Sequence, residues 1–430
     1  MKPLSAALAI TGAGYLAAVI VLAITQAPLG SPLFFACASA AGLSYVMMLR
    51  RAWNAPIDSR RLFHAALLLA VAFRAPLVGP RVGADSDMVR YLWDGRLQTH
   101  GYSPYAMVPA NPALASVHTE ETRAMPSLRT PTPYPPGAQL FFRLVVSIHD
   151  STRAMKLALV VCDLMTILVV WRWLVVTGRS EWLTLAYAWN PLVIMEVAHS
   201  GHMDVLGALW IAASAYWLAR RRTALASIAF VLAVATKLLP IVLLPLYWRR
   251  VRSRDALAGA VLLVLLYLAF THGNTLPLGA VPNVVAHIRF NGPLFRTIAR
   301  LDSPQLAAIV AVALGMLAAA WARWRLDATN PAAWAWPMAV ALACAPVIYP
   351  WYLLYLTPFL FTAATIPLAA WTFTVIPTYI VWHNARHGGR WVVPTAVMAV
   401  EFAVPVALAV RHVVSARARH VKPVEPSTSP

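Results

Sequence analysis

Charge is what this sequence has least of. Asp, Glu, Lys and Arg make up 12% of its 430 residues, about half the share usual in a soluble chain. Cysteine is scarcer still. Cys37, Cys162 and Cys344 lie far apart and inside apolar runs, so no disulfide framework or zinc knuckle can be built from them. There is no glycine-rich phosphate-binding loop, and nucleotide-dependent chemistry therefore has no obvious seat. Heptads, internal repeats and any stretch resembling a soluble domain are also missing.

What fills the chain is apolar. Hydrophobic residues make up 60% of it, and they recur in runs of about twenty, the length that crosses a hydrocarbon core as a helix. The fold expected is an all-α polytopic membrane protein with about 12–14 transmembrane or half-length helices, forming one integral membrane domain over residues 1–430. The formal charge of +19 does not point to nucleic acid. The basic residues stand in short clusters between apolar runs: Arg50, Arg51, Arg60 and Arg61; Arg220 to Arg222; Arg249, Arg250, Arg252 and Arg254; Arg323 and Arg325; and a tail with Arg417, Arg419 and Lys422. That is the positive-inside pattern, with membrane lipids as the partner.

With Lys2 inside, spans are expected at 4–26, 31–49 and 62–79, the first of them too long for a secretory h-region and so uncleaved. Residues 80–152 then form an extracytoplasmic loop rich in proline. Its part from Gly137 suggests a short helix along the membrane surface. Further spans are expected at 153–176, 181–199 and 203–219. Residues 223–248 have basic residues at both ends and only about 25 apolar ones between. Two half-length helices hinged near "TKLLP" (236–240) reconcile this, and such breaks are tolerated where they line a cavity. Spans at 255–271, 304–322 and 332–348 enclose a second outer loop, 272–303. Residues 351–383 read as two short helices or one long one, and 391–410 precedes a cytoplasmic basic tail, 412–430.

Ionisable residues beside a bilayer usually mark function, and those on the outer side fall into four places. The first is "GADSDMVRYLWDGRLQTHGYSPY", residues 83–105. If 87–98 is helical, Asp87, Arg90 or Tyr91, and Asp94 share one face. A helix cap and an Asp–Arg–Asp ladder account for much of this, but not for both Asp85 and Asp87. Two adjacent carboxylates beside apolar surface suit a general base or an orienting pair. The second is "YPPGAQ", 134–139, where consecutive prolines set an extended turn that presents Tyr134. The third is "NPLVIMEVAHSGHMD", 190–204, with Glu196, His199, His202 and Asp204. The break at Ser200-Gly201 argues against a three-ligand metal face and for a hydrogen-bonding cluster at a cavity rim. The fourth is cationic: Lys237 in the hinge, with Arg289 and Arg296 in the outer loop, any of which suits a phosphate. "YPWY", 349–352, adds Tyr349 and Trp351, rings of an interfacial belt that also stack on sugars.

Together, "DxDxxRYLWDGRxxxxGxxPY", "YPPGAQ", "NP…GHMD", "KLLP" and "YPWY" resemble the bacterial polyprenyl-phosphate-sugar-dependent glycosyltransferases of the C-type (GT-C) superfold, specifically the mannosyltransferase-like group. The resemblance spans residues 80–355 and is most specific over 85–139. It implies an inverting hexosyltransferase, with mannose as the sugar, in a bacterial plasma membrane with its active site on the extracytoplasmic side. The donor is then a polyprenyl-phosphate sugar, and the acceptor a hydroxyl of a glycan or glycolipid. By the same resemblance Asp85 and Asp87 are catalytic, with Asp85 favoured as the base. Arg90, Asp94, Arg96, Tyr134, His202, Asp204, Tyr349 and Trp351 bind substrate, and Lys237, Arg289 and Arg296 hold the lipid phosphate. Some members use a divalent metal at the acidic motif, and the residues leave the metal open here; no other cofactor is implied.

The main alternative is a membrane transporter or glycolipid flippase, which places charge near the midplane and shows two similar halves. Here the acids gather in one outer loop, and mid-span charge is mostly Asp163 and Arg172. A polyprenyl-linked ligase or phosphotransferase is a further alternative.

Overall fold

The computed structural model describes residues 2–54, 59–79, 83, 86–271 and 276–421. Among these the chain is all helix and loop, with one isolated bridge between Phe290 and Val347. Among the described residues, seven helical stretches are long and apolar enough to cross a membrane: Leu4–Thr25, Pro32–Trp53, Arg60–Val78, Thr152–Val176, Pro304–Arg325, Ala363–Arg386 and Thr395–Ala416. It is an all-α polytopic membrane protein.

Helix starts follow local chemistry. Ser59, Ser151 and Ser303 each accept a hydrogen bond from the backbone N–H three residues on, at Leu62, Ala154 and Leu306, which satisfies one of the orphan donors at a helix N-terminus. After Ser303, Pro304 occupies the first helical position, where its missing N–H is not needed.

The expected half-length pair is present. Helix Thr223–Thr236 stops at Lys237, whose backbone is extended, and the return segment Leu239–Tyr247 is a 3₁₀ helix carrying Pro240 and Pro245. Residues 181–199 also depart from a simple span. They run as short pieces, Glu181–Thr184, Leu185–Ala188 and Pro191–Ile194, then a π turn over Met195–His199.

Two charges are buried between spans. Arg74, at the end of helix Arg60–Arg74, pairs with Asp163 in helix Thr152–Val176. Tyr187 also donates to Asp163, at 2.9 Å, and Arg74 Nη1 donates to the carbonyls of Ala70 and Ala188. A charge pair in an apolar interior is tolerated when its remaining bonding capacity is met in this way.

The long polar loop 80–152 is built, over its described residues, on two packed helices. Ser86–Thr99 packs against Pro136–Ile148, and Gly95 allows the approach, because a Cβ there would lie 2.6 Å from the Phe142 carbonyl oxygen. Leu140, Leu144 and Ile148 are exposed along one side of the second helix, as an interfacial helix requires.

Candidate active site

Polar residues at several helix ends meet around a cavity of about 480 Å³, lined by Asp87, Tyr134, Asp204, Lys237, Tyr349 and Trp351 together with Tyr352, Tyr355 and mostly apolar neighbours. Each comes from an element end. Asp87 is in the first turn of Ser86–Thr99, Asp204 opens helix Asp204–Ala219, Lys237 follows Thr223–Thr236, and Tyr349 precedes the Pro350–Tyr355 turn. Asp85 lies outside the described residues.

Lys237 is the cavity's cation. Its Nζ donates to Asp204 Oδ1 and lies 3.6 Å from the centre of the Tyr352 ring, a cation–π distance. Asp204 is almost wholly buried while part of the Lys237 side chain stays accessible, so the ammonium is the member of the pair presented to the cavity. The Asp87 carboxylate acts electrostatically on both Lys237 and Tyr134. Burial first, then the Asp87 charge, hold the Tyr134 hydroxyl well above the usual phenol range, so Tyr134 is a neutral hydrogen-bonding group at neutral pH.

Arg90 and Asp94 are turned away from the cavity. Asp94 accepts from Arg90 Nε at 2.8 Å, from the Thr132 hydroxyl at 2.5 Å and from Gln139 Nε2 at 2.9 Å. Arg90 Nη1 continues to the Thr130 carbonyl. Both carboxylate oxygens are thus occupied, and the 130–134 strip that carries Tyr134 is tied to the acidic helix. The two are framework for the site rather than its lining. Arg96 is further off: it makes a bidentate pair with Asp150, at 2.7 and 3.0 Å.

His202 is fully buried behind the cavity. Its Nδ1 is 2.9 Å from Glu196 Oε2, and Glu196 Oε1 accepts from the Tyr379 hydroxyl at 2.7 Å. The imidazole stacks on Trp351, Trp351 on Tyr349, and Tyr349 on Phe290, with centroid separations of 3.9, 4.4 and 4.4 Å. Four rings from three chain segments form one wall, of which Tyr349 and Trp351 face the cavity. Among the described residues no group of three or more His, Cys, Asp or Glu is placed to hold a metal.

Arg289 and Arg296 do not reach this cavity. They line a separate one of about 170 Å³ with Phe290, Asn291, Trp391 and Met398. Sequence reasoning did not single out Tyr352, Tyr355 or Phe290. The "YPWY" motif pointed to the right segment for the first two, whereas nothing local marks Phe290 as the ring that meets Tyr349. It also gave Gln139 no role, although the residue closes the "YPPGAQ" motif and reaches Asp94.

Beside the site runs a larger cavity of about 640 Å³ with an almost wholly apolar lining, including Leu263, Tyr267, Ala308 and Val312. It shares Leu238, Leu239, Val285 and Ala345 with the polar cavity, so the two adjoin next to Lys237.

Residues 5–251 match the family described as alpha-(1->6)-mannopyranosyltransferase, N-terminal domain. The chain belongs to this family. The matched region is more than half of the sequence and contains the acidic helix, "YPPGAQ", "GHMD" and Lys237. This family member is a mannosyltransferase of the GT-C type. No curated protein and no solved structure matches it.

Proposed function

We propose that this mannosyltransferase uses a polyprenyl-phosphate-mannose donor and, with inversion, passes the sugar to a hydroxyl of an extracytoplasmic glycan or glycolipid, at the outer face of a bacterial plasma membrane. The observation that carries the reading is the junction of the two cavities. An apolar channel suited to a prenyl chain ends where Lys237, Asp87 and Asp204 surround polar space. A lipid-linked sugar has this same division, hydrocarbon on one side of an anion and sugar on the other.

In the reaction the acceptor hydroxyl oxygen attacks the anomeric carbon while the bond from that carbon to the phosphate oxygen breaks. The electron pair leaves with the polyprenyl phosphate, and the hydroxyl proton passes to a carboxylate. Asp85 and Asp87 are the candidates for that base. The leaving phosphate develops charge in a water-poor site, where the positioned ammonium of Lys237 stabilises it. Tyr134, Tyr349 and Trp351 hold the sugar by hydrogen bonding and stacking, which supplies orientation.

The test is transfer of radiolabelled mannose from polyprenyl-phosphate-mannose in membranes containing the protein, compared with Asp85→Asn and Asp87→Asn. Labelled product from the wild type, lost in one variant that still inserts, supports the reading and names the base. Absence of product from this donor with an acceptor pool present, together with product from a different class of mannose donor, would overturn it.

A further inference from the structure

The small cavity that holds Arg289 and Arg296 has no place in the transfer step, yet its chemistry is specific. Arg289 uses three N–H groups on the carbonyls of Val285, Ala286 and Ile288, at the end of helix Val281–His287. A guanidinium has five, so its position is set while two donors are left over. Among the described residues the Arg296 guanidinium has one side-chain hydrogen bond, from Nη2 to Met398 Sδ, at 3.5 Å.

Asn291 is the third element. It is 6% exposed, and its Nδ2 donates to Glu401 Oε2 at 2.7 Å. Glu401 also accepts from Trp371 at 2.9 Å, so a carboxylate fixes which way the amide faces. The consequence is that Asn291 Oδ1 is buried with no donor among the described residues. An unmet buried acceptor is destabilising unless a ligand supplies the hydrogen. Glu401 itself does not line the cavity.

The cavity thus offers guanidinium donors for an anion and, beside them, an acceptor for a hydroxyl. Its rim is interfacial in character. Trp391 and Val392 are 46% and 59% exposed, and in helix Pro293–Leu301 the side chains of Leu294 and Leu301 point outward while Phe295 is buried. Apolar side chains outside and arginines alongside are the features of a helix lying at a lipid surface.

We propose that this cavity binds the head group of an anionic phospholipid of the outer leaflet, a phosphodiester whose alcohol carries a free hydroxyl. The phosphate sits against Arg289 and Arg296, and the hydroxyl donates to Asn291 Oδ1. Two anion sites then flank the aromatic wall, one at Lys237 and one behind Phe290, whose ring stacks on Tyr349 and whose other side lines the small cavity.

The test is binding rather than catalysis, so its result stands apart from the donor reading. The purified full-length chain in detergent is titrated with phosphatidylglycerol, phosphatidic acid and phosphatidylcholine, and retained lipid is counted by native mass spectrometry. Phosphatidylglycerol is expected to be held in preference to the other two. Arg296→Gln is expected to weaken it about tenfold, the effect of losing a charged hydrogen bond. Asn291→Gly keeps a residue suited to the positive φ at that position and should remove the preference over phosphatidic acid. Val392→Trp, at the exposed rim, should block binding while leaving every hydrogen bond in place. Equal retention of all three lipids, or wild-type retention by both Arg296→Gln and Val392→Trp, would overturn the proposal. So would displacement of phosphatidylglycerol by an equal concentration of free glycerol phosphate, because the site would then read a soluble ester.

Discussion

The imidazole of His202 lies flat on the indole of Trp351, ring centres 3.9 Å apart and planes within 8°. One ring belongs to the "GHMD" motif and the other to "YPWY", about 150 residues later. The stack is how two separate motifs become one wall beside the polar cavity.

Glu196 and Tyr379 hold that imidazole from behind. Removing His202 as Ala leaves a buried Glu196 oxygen without its imidazole neighbour and opens space against Trp351, a change of about 2–4 kcal/mol. Glu196→Gln retains a hydrogen-bonding group of the same shape and should cost about 1 kcal/mol or less. Thermal unfolding in detergent ranks the two, and a reversed order would refute the assignment of Glu196 as the group that holds His202.

The acidic helix separates framework from surface. Asp94→Asn cannot accept at both oxygens and should destabilise the chain by about 3 kcal/mol, with transfer lost as the Tyr134 strip comes free. Arg96→Ala breaks the partly exposed pair with Asp150 and two long bonds, to the Val117 carbonyl and the Thr119 hydroxyl, and should change stability by about 1 kcal/mol, with mannose transfer at wild-type level. A large loss of transfer in a stable Arg96→Ala protein would return Arg96 to the substrate.

Lys237→Met preserves the length of the side chain and removes its charge. Alone it strands Asp204, so low expression is expected. The double variant Lys237→Met/Asp204→Asn removes both charges and should insert and fold. Its transfer should nevertheless fall about 100-fold or more, since the positioned cation is gone. Recovered activity in the double variant would remove Lys237 from catalysis.

The Arg74–Asp163 pair predicts a thermodynamic cycle. Arg74→Leu alone should destabilise by about 3–5 kcal/mol, and adding Asp163→Leu should restore most of it, because the paired charges together contribute little net stability. Denaturation midpoints of the single and double variants decide this. Additive losses would mean that each side chain acts through separate contacts.

Much of the architecture was legible because membrane topology writes itself in composition. Basic residues at both ends of 223–248 favour one side for both, and with only about 25 apolar residues between them they pointed to two half-length helices hinged near "TKLLP", 236–240. The shared face of Asp87, Arg90 and Asp94 was read on the condition that 87–98 is helical, and the helix is there, Ser86–Thr99. What remained hidden was which side chains meet across the bundle. Asp163 stood out as a mid-span charge, but Arg74, inside the expected span 62–79, was not singled out beside it, and only packing brings them together. Asp94 and Arg96 lie on the same short helix as Asp87, yet one is consumed by Thr132 and Gln139 and the other by Asp150. Arg289 and Arg296 were placed with Lys237 because all three are cations on the outer side. Charge type alone does not tell one cavity from its neighbour.

The apolar cavity beside Lys237 is walled by helices Ser253–Leu268 and Pro304–Arg325, and these turn Leu257, Val261, Ile309 and Leu317 outward. Those side chains face hydrocarbon rather than water. For any ligand arriving through that cavity, abundance is a number per unit area of bilayer, and dilution of the surrounding buffer leaves it unchanged. Saturation is then set by the mole fraction of the ligand among membrane lipids, so a half-saturation value quoted in molar units would drift with the amount of lipid in the assay.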